Sequence, residues 1–395
     1  GSAWEYDETT NQYYYHNFAV EQPDLNWENP KVITEICSMI NSWLDKGIGG
    51  FRLDVIDLIG KEIDKGIFGN GPRLHPLLKE INMKTFGNYD VMTVGETWGA
   101  TPEIATLYSA PNRQELSMIF QFEHMVLDWG NLGKWTPKKL DFIQLKTILS
   151  KWQKELVNGW NSLFWNNHDL PRIVSRWGND NTYRIESSKM LAITLHMMKG
   201  TPYIYQGEEI GMTNIKFDSI EDYNDVEIHG FYKDYVLDQM IMSHDDFMNG
   251  VYKMGRDNAR TPFQWNNQKE AGFTNGTPWL KVNPNYLEIN AENAIDDKNS
   301  IFYTYKKLIQ MRKSSKYSDV ILYGDYEQLL ENHPNIFAYK RYYKNQELLV
   351  LSNFTSEIIT LEIQLQNYEL LISNYNDFDP NTLRPYESII FAIYN

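Results

Sequence analysis

The chain has 395 residues, 42% hydrophobic and 23% charged, enough apolar material to bury a large core and too ordered a composition for a disordered protein. A net charge of −15 argues against binding to a phosphate backbone, and a single cysteine, Cys37, excludes an internal disulfide and a cysteine-built zinc site. No apolar run reaches the roughly 18 residues of a membrane span, and aromatic residues, at 14%, include 12 Trp and 26 Tyr.

The first residues carry neither a start methionine nor a charged-then-apolar leader. An aromatic, irregular segment covers residues 4–27. Residues 30–46 then predict a helix, with Pro30 at its start, Gly47 past its end, and Val32, Ile36, Ile40, Trp43 and Leu44 as its apolar positions. Short apolar strands follow at 50–55, 91–95, 118–122, 162–166 and 202–205. Helical stretches intervene at 74–85, 140–156, 188–198 and 300–313. Such alternation implies parallel strands with helices outside. From about Ser318 the pattern changes to short Ile, Leu, Tyr and Phe runs broken by turns, which predicts a separate antiparallel β domain. A closed barrel of eight βα units needs eight strands and about 250 residues. Five strands are counted here, so an α/β (β/α)8 barrel without its first three strands is expected, and the sequence is expected to begin inside a longer protein.

The sharpest chemical signal is acidic. Asp54 ends "GFRLD", Glu96 ends "VMTVGE" and Asp169 follows "NSLFWNNH". They lie 42 and then 73 residues apart, which suits adjacent strands and then strands two apart in a barrel. The three carboxylates are therefore expected at one mouth of the barrel, where they suit glycoside hydrolysis: one carboxylate attacks or stabilises an oxocarbenium-like centre and a protonated one serves the leaving oxygen. Taken singly, an acid ending a strand is usually a cap or loop residue; it is the three together, each beside Arg, His or Trp, that point to chemistry. Arg52 precedes Asp54 by two and shares its side of the strand. His168 precedes Asp169 and is placed to donate to sugar hydroxyls.

These residues stand in segments that resemble the α-amylase superfamily, and more closely its oligo-1,6-glucosidase and dextran glucosidase group. In the family's order they are "QPDLN" (22–26), "GFRLDVI" (50–56), "VGETWG" (94–99), "FWNNHD" (164–169), "GTPYIYQGEE" (200–209) and "GRDNARTPFQW" (255–265). The resemblance implies Asp54 as nucleophile, Glu96 as general acid/base and Asp169 as the third carboxylate, which grips substrate hydroxyls. It also implies Arg52, His168 and Arg256 as helpers around the first sugar, with Arg260 close enough to Arg256 to compete for that role. Val55, beside the bond to be cut, and Lys134 and Glu227, around the next sugar, resemble the marks of α-1,6 preference, with Trp98 as a stacking wall of that subsite. The resemblance further implies double displacement with net retention, exo action on α-1,6-linked glucooligosaccharides or dextran, no cofactor, no nucleic-acid or membrane partner, and a cytoplasmic location. The relatives' small cation site falls in a part outside this sequence, so no metal ligand is assigned.

Residues 1–29 are then expected to be the tail of a domain inserted between strands 3 and 4, residues 30–317 the catalytic barrel, and 318–395 the C-terminal β domain. The family's first conserved block is absent, so the missing segment is supplied elsewhere or the chain is an inactive fragment. Trehalose-6-phosphate hydrolases share most of these motifs and are the nearest alternative. A non-catalytic sugar binder and an amylase-like partner of a membrane transporter are the alternatives from other classes.

Overall fold

The computed structural model describes residues 2–361, 366–379 and 381–394. Gly1, and residues 362–365, 380 and 395 of the expected C-terminal domain, lie outside the described residues. The chain divides into two compact units: Gly1–Gln121 with Asn158–Trp160, and Phe122–Val157 with Asn161–Asn395.

The first unit opens on a hairpin, β1 (Trp4–Asp7) and β2 (Gln12–Tyr15), where an irregular segment was expected. Its pairs Trp4–Tyr15 and Tyr6–Tyr13 bring aromatic rings within 5.4 and 5.1 Å across one face, a cross-strand packing that stabilises a two-stranded ribbon. The helix Pro30–Leu44 forms as its signals predict. The Asn29 side chain accepts from Lys31 N at 3.1 Å, and Pro30 occupies the first turn. Its buried face differs from the expected one: Ile33, Cys37, Ile40 and Leu44 turn inward, whereas Trp43 is 48% exposed beneath the Lys46 ammonium. Cysteine behaves here as a small apolar residue, and the cation covers the indole that the core does not take.

Three parallel strands follow, β3 (Gly50–Leu53), β4 (Met92–Glu96) and β5 (Met118–Phe120), paired in the order β3-β4-β5. Gly50 is required at the start of β3, because a Cβ there would sit 2.0 Å from the Met92 carbonyl oxygen. The crossover between β3 and β4 carries the helix Leu74–Lys84, which buries Leu74, Leu77, Leu78 and Ile81. That between β4 and β5 carries Pro102–Ser109, capped by the Thr101 hydroxyl on Ile104 N at 3.3 Å.

The second unit holds the parallel pair β6 (Ser162–Leu163) and β7 (Thr201–Pro202). Its main helices are Phe142–Glu155, Arg184–His196, His244–Met254 and Ile301–Ser314. From Ser187 to His196 every residue of the second of these is buried, which is why that stretch shows no amphipathic stripe. The expected change at Ser318 begins with one more helix, Ser318–Tyr323, and only then the sheet. Strands β8 (Asp325–Leu329), β9 (Ile336–Tyr343), β10 (Gln346–Asn353), β12 (Tyr368–Ser373) and β14 (Ser388–Ile393) form an antiparallel sheet in the order β12-β14-β10-β9-β8. A second pair joins β11 (Ile359–Thr360) to β13 (Thr382–Leu383). Among the described residues no helix is long and apolar enough to cross a membrane.

Three buried cations tie the elements of this unit together, Lys146 and Arg341 between the sheet and the helices and Arg312 between two helices. Lys146 Nζ donates to the carbonyls of Leu330, His333 and Ile336 at 2.9, 2.7 and 3.1 Å. Arg312 Nη1 donates to His196 O and Met198 O at 2.5 and 2.9 Å. Arg341, fully buried, donates to Asp325 O, Met197 O and Gly324 O at 3.2, 2.7 and 2.6 Å. The acceptors of Arg312 and Arg341 lie at or just past helix C-termini, where carbonyls are unpaired by the helix itself and carry its negative end, so they suit cations; those of Lys146 lie between and at the start of strands β8 and β9. Arg341→Met removes the donor from the buried Met197 and Gly324 carbonyls and from the part-buried Asp325 carbonyl and is expected to lower unfolding stability by roughly 3 kcal/mol, read from urea denaturation. Arg341→Lys, with one ammonium for three divergent acceptors, is expected to recover only part of that loss.

Candidate active site

In the first unit the site is built at the ends of β3 and β4. Their register pairs Arg52 with Val94 and Leu53 with Gly95, so the next residues along the two strands are Asp54 and Glu96. Arg52 Nη1 donates to Asp54 Oδ1 and Arg52 Nη2 to Glu96 Oε2, each at 2.6 Å. One guanidinium thus spans two carboxylates of different character. The Asp54 side chain is 71% exposed, and that of Glu96 is 4% exposed. Burial raises the Glu96 carboxyl above its ordinary value, and the neighbouring Asp54 adds to the rise. Arg52 and the Val55 amide act in the opposite direction without cancelling it. The Val55 N–H donates to Glu96 Oε2 at 3.2 Å. To do so Val55 adopts φ 38° and ψ 44°, a left-handed conformation that a β-branched residue rarely takes. Trp98, two residues past Glu96, is 43% exposed.

In the second unit the segment after β6 presents His168 and Asp169. Asp169 Oδ1 accepts from Arg260 Nη2 at 2.8 Å and lies 3.3 Å from Arg256 Nη1, while its Oδ2 lies 3.0 Å from His168 Nε2. Burial raises the Asp169 carboxyl, but the His168 hydrogen bond and the charges of His168, Arg256 and Arg260 outweigh it and bring it down to about 2. Arg260 also fixes the turn, donating from Nε to His168 O at 2.8 Å. Arg256 runs on to Asp225 Oδ2 at 2.8 Å and to Glu227 Oε2 at 3.0 Å. Glu227 in turn is paired with Lys134, whose side chain is 12% exposed.

The sequence-predicted residues therefore assemble into two groups, one in each unit. Arg52, Asp54, Val55 and Glu96 are joined in the first. Lys134, His168, Asp169, Arg256 and Glu227 form one connected network in the second. Arg256 and Arg260, alternatives on the sequence, both bind Asp169. Three acidic residues were missed. Asp225 caps the helix Val226–Tyr232 through Glu227 N at 3.0 Å while holding Arg256; an Asp just ahead of a helix start was the available signal. Asp257 accepts from the amides of Asn224 and Asp225 at 2.7 and 3.1 Å. Asp57, in the turn after Val55, accepts from Trp98 N at 3.2 Å.

Asp225 is wholly buried at its side chain, and despite that burial the Arg256 partner holds its carboxyl below the usual value. Arg256→Ala is expected to destabilise the protein by roughly 3 kcal/mol, because it strands a buried charge. Asp225→Asn added to that variant is expected to restore part of the loss, a double-mutant cycle read by denaturant titration.

A model of the α-amylase catalytic domain matches residues 1–322, and one of the C-terminal domain of the α-amylase SusG matches 336–390. An oligo-1,6-glucosidase of Bacillus cereus is 52% identical over 100% of this chain and 74% of that protein. A glucan 1,6-alpha-glucosidase of Streptococcus pneumoniae is 52% identical over 95% of this chain and 70% of that protein. The crystal structure of Bacillus licheniformis trehalose-6-phosphate hydrolase superposes with a TM-score of 0.93 at 44% identity, over 100% of this chain and 74% of that one. The chain therefore belongs to the α-amylase catalytic-domain family.

Proposed function

We propose that this chain carries the machinery of a retaining, exo-acting α-glucosidase that hydrolyses α-1,6-glucosidic bonds of isomaltooligosaccharides and dextran. The observation that carries the proposal is the Arg52-bridged pair, an exposed carboxylate beside a buried one whose proton is held to higher pH. Two carboxylates on one guanidinium suit the close spacing, about 5 Å, of a retaining pair. Asp54 attacks the anomeric carbon and forms a glucosyl ester, while Glu96 gives its proton to the departing glucosidic oxygen. Glu96, now a carboxylate, takes a proton from water, whose oxygen opens the ester and releases glucose with its configuration retained.

Asp169, held near 2, stays charged across any working pH and suits the gripping of sugar hydroxyls. His168 and Arg256 orient it. Val55 narrows the entrance beside the scissile bond, and Trp98, Lys134 and Glu227 hold the next sugar. Lys134 is neutralised by Glu227, which supports a neutral sugar over a phosphorylated one at that position. Residues 1–29 as the end of an inserted domain, 30–317 as the catalytic part, 318–395 as the C-terminal β domain, and a cytoplasmic location belong to the same proposal.

Initial rates on isomaltose and on trehalose 6-phosphate test the assignment. Isomaltose is expected to be favoured at least tenfold in kcat/KM, and the reverse order overturns it. Asp54→Asn and Glu96→Gln are each expected to lower kcat by roughly a thousandfold or more. Because the Glu96 carboxyl is raised, activity is expected to persist above the ordinary carboxyl range and to fall as pH climbs through the Glu96 value. Val55→Ala is expected to raise the rate on maltose relative to isomaltose, measured by glucose release.

A further inference from the structure

The turn that follows Asp54 and the loop that follows Glu96 are fastened by two hydrogen bonds of opposite sense. From turn to loop strand, the Val55 N–H donates to Glu96 Oε2 at 3.2 Å. From loop to turn, the Trp98 N–H donates to Asp57 Oδ2, also at 3.2 Å. Asp57 is 4% exposed, and burial raises its carboxyl while the amides of Gly99 and Trp98 pull it down. Its own carbonyl accepts from Asn70 N at 2.8 Å, and Asn70 Oδ1 accepts from the Tyr108 hydroxyl at 2.7 Å. The turn is thereby held from behind as well as from the front. Asp57 Oδ2 takes the Trp98 amide while Oδ1 is buried without a hydrogen-bond partner among the described residues. A buried carboxylate so sparsely served is an expensive way to fill space, and its position is what ties Trp98 to the segment bearing Asp54.

We propose that Asp57 is a positioning residue for the acid/base: by clasping the Trp98 loop to the turn after Asp54, it keeps the Val55 amide on the Glu96 carboxylate and Trp98 in place for the leaving sugar. The inference rests on the roles proposed for Asp54 and Glu96. Its consequence is electrostatic as well as geometric. The Val55 N–H favours the charged form of Glu96, so a loosened clasp raises the Glu96 carboxyl further and moves the alkaline limb of the rate profile to higher pH. A residue that only stabilised the fold would leave that limb where it is.

The test is the pH dependence of kcat/KM on isomaltose for Asp57→Ala, Asp57→Ser and Asp57→Asn in the full chain, with Glu96→Gln alongside. Loss of activity in Glu96→Gln establishes the role on which the inference depends; its absence removes that role whatever Asp57 does. Given that loss, Asp57→Ala is expected to lower kcat about tenfold, as removal of an outer hydrogen-bond partner does, and to move the alkaline limb up by several tenths of a pH unit. Asp57→Asn keeps an acceptor for the Trp98 amide and is expected to stay within about threefold of the parent, with its limb unmoved. Should Asp57→Ala fail to fold, Asp57→Ser, too short to reach the amide, gives the same reading. An alkaline limb that stays in place in the folded Ala or Ser variant overturns the proposal, as does a limb that moves equally in Asp57→Asn.

Discussion

Arg52 is the interaction on which the first unit's chemistry depends. Two carboxylates gathered on one guanidinium repel each other by several kcal/mol at an effective dielectric of about 20, before the cost of burying either is counted. A guanidinium with a nitrogen on each offsets that repulsion while leaving room for a proton on the buried partner. Strand geometry makes the arrangement inexpensive. Asp54 stands just past the end of β3, two residues after Arg52, and parallel pairing with β4 brings Glu96 up beside them. The asymmetry in exposure then separates the two acids: the buried one keeps its proton longer, which is how two chemically similar groups acquire different roles.

The second unit treats a carboxylate the opposite way. Asp169 is half-buried, yet a histidine and two arginines pull it down to about 2. The arginines are themselves anchored by acids set farther back, Asp225 and Glu227, with Lys134 closing the row. Charges that alternate along such a row reinforce one another. Removing one member therefore leaves its neighbour with a buried, unmatched charge and displaces the side chain next along the row.

Much of this was legible in the sequence, for identifiable reasons. The five parallel strands are short apolar runs whose ends carry polar residues, a pattern that survives without tertiary information. The acids Asp54 and Glu96 stood out because each closes such a run, whereas Asp169 lies in the segment beyond β6 and stood out by its place after "FWNNH". The hairpin Trp4–Asp7 with Gln12–Tyr15 was not, because each strand has only four residues and the run Tyr13–Tyr15 hides the alternation that Trp4–Asp7 shows. The helix Pro30–Leu44 was placed correctly but turned to the wrong face, because Trp43 outranks Cys37 in apolarity while the fold buries the smaller residue. At Ser318–Tyr323 a short apolar run within a β-rich region reads equally as strand or helix. Asp57, Asp225 and Asp257 escaped notice because their partners are backbone amides or side chains far along the chain, and nothing in local spacing announces those.

Val55 shows how one position can carry two constraints. Its amide is committed to Glu96, and that commitment places its backbone at φ 38°, a region that costs a β-branched residue of the order of 1–3 kcal/mol. Glycine would satisfy the backbone requirement at far lower cost. If the amide were all that mattered, glycine would be the economical residue, so the strained valine points to a benefit from its isopropyl group. The half-buried side chain stands immediately after Asp54, beside the acid proposed to attack the sugar. Under the proposed function a bulky wall in that place would select the linkage, since a branched side chain fixed by its backbone discriminates better than a mobile one between substrates differing only in the direction of the departing sugar.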